Sequence, residues 1–385
     1  WYELLLPFEK VGLFFDFDSA GKSLVERVVS RLGAERVMIP DYNGRKDANE
    51  VLVKDGSEAL NEIVRHTHPS PIKNVYSAIE VVESLQERLL SGEDLERGEE
   101  WFLPEITNVV GKITEGDLIT LTGDAGAGKT SLMIQQMLYT AVGHQVPTLI
   151  TELEMPRYRL MRKAIQCLFK IEKDQIDIDV LREARKTISS APLYIEAYFR
   201  NPNIESVIET ATAAYHRYGI RLLIVDNLHI LARTNDDINT EEGKISRALK
   251  EWANEYGSSV VLIVHPRKIE NGMLAHGNDM KGNSSVRSDA DTCLFMHRKH
   301  TGPNSERQMM ESLSGPDLDP RTYLYTEKGR DHDGGNSTWL YFDGSKSFFR
   351  PCTSDDFANS GGFSGNGKSK PTSKENETRT WPNDN

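Results

Sequence analysis

Gly123-Asp124-Ala125-Gly126-Ala127-Gly128-Lys129-Thr130 fits G-x-x-x-x-G-K-[ST] at every fixed position, and the rest of the chain is organised around it. A β-forming run, Leu118-Ile119-Thr120-Leu121, precedes it and a helix-like run, Ser131 to Leu138, follows. In that strand-loop-helix context, glycines let backbone N–H groups close around phosphates, and the helix N-terminus adds partial positive charge. The expected nucleotide-binding set is Gly123, Asp124, Ala125, Gly126, Ala127, Gly128, Lys129, Thr130 and Ser131. Lys129 should reach the β- and γ-phosphates and the Thr130 hydroxyl should ligate Mg²⁺.

Three further strand-like runs follow, each ending in polar groups. Pro147 to Thr151 runs into Glu152-Leu153-Glu154-Met155-Pro156, and a carboxylate there is where a hydrolytic ATPase needs a base to polarise water. Arg221-Leu222-Leu223-Ile224-Val225-Asp226 is an apolar run closing on an acid, the Walker B form, so Asp226 is expected to coordinate Mg²⁺ directly or through water. Ser259 to Val264 ends at His265-Pro266-Arg267-Lys268. A polar side chain at that point can touch a γ-phosphate on one side and the following loop on the other, which makes His265 a candidate sensor. Taken singly, either strand-end acid is more often a surface residue, and falling in this order behind a phosphate loop reverses those odds; a lone strand-end histidine is more often simply a satisfied polar residue.

Ile269 to Arg287 is rich in Gly, Asn, Ser and charge and reads as one long loop, of a length that is usually functional or disordered inside a compact domain. Its Lys281, Gly282, Asn283, Ser284 and Arg287 suit a phosphate backbone better than base edges. Strands are expected at Thr292 to His297, Thr322 to Thr326 and Trp339 to Phe342. From Thr353 onward Ser, Gly, Asn, Lys and Thr dominate, the composition of a disordered tail.

Upstream, Val11 to Phe15 reads as a buried strand delivering Asp16 and Asp18 on one side, since a strand repeats every two residues; two such carboxylates can hold Mg²⁺. Ser19 to Gly33 is helix-like and Arg36 to Ile39 strand-like. His66 to Ile72, with Pro69 and Pro71, reads as a linker, after which Val75 to Leu90 resumes helical periodicity with Tyr76, Ile79, Val82, Leu85 and Leu89 near one face. That narrow apolar stripe must dock, either on its own domain or on a neighbouring subunit. The expected organisation is a first domain over 1–65, a linker with an amphipathic helix over 66–100, an ATPase domain over 101–352 and a tail over 353–385.

The 385 residues carry enough apolar content, 38%, for sizeable cores. Three cysteines, Cys167, Cys293 and Cys352, are far apart, so neither a disulfide framework nor a cysteine-based zinc site is supported, and a reducing compartment is expected. No apolar run approaches the ~20 residues of a membrane span, so no membrane partner is expected. The net charge of −12 is a poor guide to nucleic-acid binding, because such a surface is local. The chain opens on Trp1 rather than Met, and the natural N-terminus is expected upstream.

From about Asp16 to Phe349 the order of motifs resembles one family: hexameric, DnaB-like replicative helicases with a RecA-like core, and within them the phage primase-helicases and the mitochondrial helicase Twinkle. The resemblance is carried by Leu153-Glu154-Met155, by Val264-His265-Pro266-Arg267-Lys268, by Asp279 to Arg287 and by Lys328-x-Arg330. Asp16-Phe17-Asp18-Ser19-Ala20-Gly21 with Lys46-Asp47-Ala48-Asn49-Glu50 resembles the second half of a toprim domain, whose first acidic strand would lie upstream. The fold implied is α/β: a RecA-like P-loop NTPase core preceded by a partial toprim, Rossmann-like domain and a linker helix.

By the same resemblance Glu154 is the catalytic base, Asp226 the Walker B acid and His265 the γ-phosphate sensor. Arg267 and Lys268, just after His265, would hold single-stranded DNA. Lys328 and Arg330 would act in trans on the next subunit's nucleotide, and Arg298 would stack on the nucleotide base. The implied cofactors are ATP or dTTP with Mg²⁺. The implied partners are single-stranded and forked duplex DNA, further copies in a ring (a hexamer), a DNA polymerase and a single-strand binding protein, with 5′-3′ movement in the cytoplasm of a bacterial or phage-infected cell rather than the mitochondrial matrix. The sequence departs from the family in two respects. No zinc-binding module precedes the toprim-like stretch, so primer synthesis is not expected of it. In the tail, Lys368, Lys370, Lys374 and Arg379 nearly balance Asp355, Asp356, Glu375, Glu377 and Asp384, unlike the acidic polymerase-binding tail of the phage proteins. The alternative reading is a RecA-type recombination ATPase that binds DNA as a filament without unwinding it.

Overall fold

The computed structural model describes residues 2–16, 18–72, 75–92, 98–197, 202–232, 238–266, 284–300, 318–329 and 336–358. It divides into two compact units, Trp1–Leu95 and Glu96–Asn385. No helix among the described residues is long and apolar enough to cross a membrane.

In the first unit, strand β1 (Val11–Gly12) leads through helix α1 (Ser19–Leu32) to a parallel partner, β2 (Val37–Ile39). Leu13, Val28, Leu32 and Val37 form the small core between helix and sheet. Two short helices, α2 (Ala48–Lys54) and α3 (Gly56–Arg65), pack on each other around Tyr42, Val51 and Ile63. The strand expected through Phe15 stops at Gly12: Phe14 is exposed, and the Asp18 carboxylate accepts from Gly21 N at 2.8 Å as the N-cap of α1. The stretch expected as a linker after Arg65 does break the helix, yet His68–Pro69 (β3) pairs antiparallel with β2, with Ser70 N donating to Val37 O at 2.8 Å. As the sheet edge, β3 tolerates a proline that could not serve in the middle. Helix α4 (Ala78–Leu90) starts at a capping box, Ser77 N to Glu80 Oε2 at 2.6 Å and Glu80 N to Ser77 Oγ at 3.2 Å, and none of its residues is buried.

The second unit is a nine-stranded sheet between two layers of helices. Six parallel strands run in the spatial order β9, β4, β8, β7, β5, β6, these being Thr292–His300, Leu118–Gly123, Ser259–Val264, Leu222–Asp226, Thr148–Glu152 and Leu193–Ala197. Beyond β9 the sheet turns antiparallel through β10 (Leu318–Lys328), β11 (Ser337–Asp343) and β12 (Phe348–Pro351). Successive residues of the parallel strands face opposite layers. Ile119, Ile224, Val261 and Leu294 pack on one side with helices α5 (Lys129–Leu138) and α6 (Arg157–Phe169); Leu118, Leu223, Val260 and Phe295 pack on the other with α7 (Ile204–Tyr218) and α8 (Ile238–Tyr256). Strands buried on both faces read as continuous apolar runs, which is why they were legible. Each such side chain taken from water contributes roughly 1.5–3 kcal/mol.

Two further expectations are corrected. The far end of the long polar stretch is not loop: Ser284–Asp289 forms helix α9, placing Arg287 on a helix. The tail is ordered at its start, where Ser354–Ala358 is helical and Asp356 takes both Arg350 Nη1 and Nη2, at 2.7 and 2.8 Å. That paired carboxylate is held well below its usual range, first by the Arg350 bond. Residues 359–385 lie outside the described residues.

Candidate nucleotide-binding site

The carboxyl ends of four adjacent parallel strands, β4, β8, β7 and β5, meet where open α/β sheets place their ligands. At the end of β4 the phosphate loop turns through Gly126 (φ 77) and Gly128 (φ 99). A Cβ on Gly128 would sit 2.7 Å from Phe349 Cζ, so neither backbone nor space admits a side chain there, and at Gly126 the left-handed backbone disfavours one. Phe349 is fixed in turn by Gln135 of α5, which accepts from its N–H at 2.8 Å and donates to its carbonyl at 3.0 Å.

Lys129 is buried; its Nζ donates to the carbonyls of Gly123 (2.7 Å) and Asp124 (3.0 Å), and burial lowers its pKa. The Thr130 hydroxyl donates to Asp226 Oδ2 at 2.6 Å. Burial pushes the Asp226 carboxyl up to about 6, with the Thr130 bond opposing. Asp226 Oδ1 is buried with no hydrogen-bond partner. A hydroxyl, a carboxylate with one oxygen to spare and a buried lysine beside a glycine cradle make a donor set suited to a nucleotide phosphate and Mg²⁺.

At the end of β5, the Glu152 carboxylate folds back on its own chain: Oε1 accepts from Glu154 N and Met155 N, both at 2.8 Å. Its Cα pairs in register with that of Asp226, it has no exposure, and burial first, then Asp226, pushes it up to about 8. Glu154, by contrast, is half exposed. Its Oε2 accepts from Asn227 Nδ2 at 2.8 Å and lies 3.9 Å from His265 Nε2, while the same Asn227 Nδ2 stands 3.0 Å from His265 Nε2. Glu154, Asn227 and His265, from three strand ends, thus form one connected group beside Asp226.

Two further residues touch the loop from β9. His297 Nδ1 lies 2.7 Å from Asp124 Oδ2. Arg298 is buried over Phe342, donating to Gly126 O (2.9 Å), Asp319 O (2.9 Å) and Leu318 O (3.5 Å). Its guanidinium is committed to main-chain carbonyls that include one of the phosphate loop's own.

Sequence reasoning missed Asn227, although a polar residue directly after Asp226, at the end of an apolar run, was a usable signal. It also left Glu152 and Glu154 unseparated by burial. Arg287 lies 3.8 Å from Glu327 Oε2. Arg267, Lys268, Lys281, Gly282, Asn283 and Arg330 lie outside the described residues, as do the side chains of Ser284 and Lys328. Asp16 and Asp18 belong to the first unit, where Asp16 Oδ2 is 3.8 Å from Lys46 Nζ. Among the described residues no group of three or more His, Cys, Asp or Glu could hold a metal by itself.

The chain is similar to the chloroplastic and mitochondrial Twinkle homolog of Arabidopsis thaliana, 24% identical over 319 residues, covering 76% of this chain and 45% of the relative. It is 23% identical over 331 residues to the DNA helicase/primase of Enterobacteria phage T3, covering 78% of this chain and 56% of that protein. The chain thus spans about half the length of the curated relatives it matches. Its fold is that of the solved ATPase domain of G40P, at a TM-score of 0.58 and 19% identity, over 73% of this chain and all of that one. With residues 102–349, well over half of its length, matching the family model of the DnaB-like helicase C-terminal domain, the chain belongs to that family.

Proposed function

We propose that this chain is the motor of a ring-forming replicative DNA helicase, which hydrolyses a nucleoside triphosphate to move along single-stranded DNA and part the duplex ahead. The observation that carries the proposal is the joined group Glu154–Asn227–His265 at three adjacent strand ends, beside the hydrogen-bonded pair Thr130–Asp226. A nucleotide bound in the glycine cradle would draw Lys129 from the loop carbonyls to its β- and γ-phosphates. Thr130 and Asp226 would hold Mg²⁺, which neutralises charge developing on the phosphoryl oxygens. Glu154, half exposed and oriented by Asn227, would take the proton of the attacking water. His265 shares Asn227 with Glu154, so its contact with the γ-phosphate would be felt at the base and at the DNA-contacting residues after it.

DNA contact is assigned to Arg267, Lys268, Lys281, Gly282, Asn283, Ser284 and Arg287, whose groups suit a phosphate backbone. Lys328 and Arg330 would complete the site of the neighbouring subunit. Arg298, held against Gly126, would offer a guanidinium face to the nucleotide base. Helix α4, with every large apolar residue exposed, is the element proposed to dock on the next subunit and close the ring. In the first unit, Asp16 and Asp18 are proposed as metal ligands of a partial toprim domain.

The test is unwinding of a labelled forked duplex with ATP and with dTTP. Strand separation with either nucleotide supports the reading, and closed rings in electron micrographs separate it from a RecA-type recombination ATPase, which would form filaments and leave the fork intact.

A further inference from the structure

We propose that Glu152 is a positioning residue, which holds Glu154 in place by gripping the main chain of the turn that carries it. The inference rests on the assignment of Glu154 as the base. Glu154 itself is half exposed and lies in the turn, two residues past the end of β5, where no ladder hydrogen bond defines its backbone. Two side-chain bonds replace the ladder, Glu154 N and Met155 N both donating to Glu152 Oε1 at 2.8 Å. The preceding amide, Leu153 N, donates to Asp226 O at 2.8 Å, so three consecutive amides of the turn are held by groups belonging to the pair of residues that face each other across β5 and β7. Glu152 has no exposure and its Oε2 is buried, so of the two carboxylates it is Glu154, half exposed, that is open to an attacking water. The use of Glu152 is mechanical: it fixes where the Glu154 side chain starts, and Asn227 fixes where it ends.

What the grip requires is an acceptor oxygen at this position, not an ionisable group. Nucleotide hydrolysis by the full chain, with binding of a fluorescent nucleotide analogue, tests this in Glu152→Ala, Glu152→Gln and Glu154→Gln. Displacing a catalytic group by about 1 Å costs on the order of 100-fold, so kcat of Glu152→Ala is expected to fall by about that factor. Its KM and analogue affinity should stay within about threefold, since the phosphate loop is untouched. In Glu152→Gln the amide oxygen accepts the same two N–H groups, and kcat is expected to recover to within about threefold of the parent. Glu152→Gln as slow as Glu152→Ala, or Glu152→Ala as fast as the parent, overturns the proposal. Where Glu152→Ala yields no folded protein, Glu152→Gln decides alone, and a kcat more than about tenfold below the parent overturns the proposal. Undiminished turnover of Glu154→Gln is a different failure: it removes the base assignment, and the positioning role with it, whatever Glu152 does.

Discussion

Asn227 Nδ2 donates to Glu154 Oε2 at 2.8 Å and stands 3.0 Å from His265 Nε2, so one amide joins the ends of β5, β7 and β8. Its orientation is set from behind, where Asn227 Oδ1 accepts from Ile230 N at 3.3 Å. Nδ2 is a donor only, so in this contact His265 Nε2 accepts. A hydrogen bond to a charged group contributes about 1.5–3 kcal/mol, equivalent to roughly 10- to 100-fold in rate. Asn227→Ala is therefore expected to slow hydrolysis by about that factor and to abolish its stimulation by single-stranded DNA. Steady-state hydrolysis with and without a single strand checks this; stimulation that survives removes Asn227 from the coupling path.

The buried carboxyls predict a pH dependence of stability. Asp226 is pushed up to about 6 and Glu152 up to about 8. A carboxyl whose folded pKa is raised binds its proton more tightly folded than unfolded. Its contribution is complete below the unfolded value near ~4 and is lost as pH rises through the folded one. The thermal midpoint of the nucleotide-free protein should fall between about pH 5 and about pH 8, and Glu152→Gln should remove the upper part of that fall. Melting curves across this range are decisive, and a difference between parent and Glu152→Gln that is flat in pH would contradict the shift.

Single-strand binding should weaken with salt, with a log-log slope of about −0.7 for each phosphate neutralised. Replacing Lys281 and Arg287 together by Gln is expected to flatten that slope by roughly 1 to 1.5. Arg287 also pairs with Glu327 at 3.8 Å, so part of its charge is already engaged and its share should be the smaller of the two. Titrations at several salt concentrations measure it, and an unchanged slope puts the DNA elsewhere.

The trans role of Arg330 is tested by complementation. Guanidinium is planar, always ionised and able to grip phosphate oxygens through two donors, and losing such an arginine typically costs ~10³ or more in turnover. An exposed ion pair to Asp331 or Asp333 would instead contribute at most ~1 kcal/mol and leave turnover intact. Lys129→Ala and Arg330→Ala subunits should each be inactive alone, yet regain partial hydrolysis when mixed, because some interfaces then hold an intact Lys129 facing an intact Arg330. Mixed rings that form but stay inactive would refute the assignment.

Read alone, the sequence determined the phosphate loop with its strand and helix, the strands closing on Glu152, Asp226 and His265, and the order in which they follow. These are local regularities: a glycine pattern, an apolar run, a polar residue where the run stops, each set by a few adjacent residues. Only the tertiary structure decided which strand ends adjoin. Glu152 and Asp226 are far apart in the chain, and that they share a register depends on β5 pairing with β7. That pairing buries Glu152 and leaves Glu154 exposed, a distinction no local pattern encodes, because burial is a property of what packs from elsewhere. The same holds for Asn227, whose partners come from two other strands, and for Phe349, which closes on Gly128 from an edge strand too short to show a period of its own.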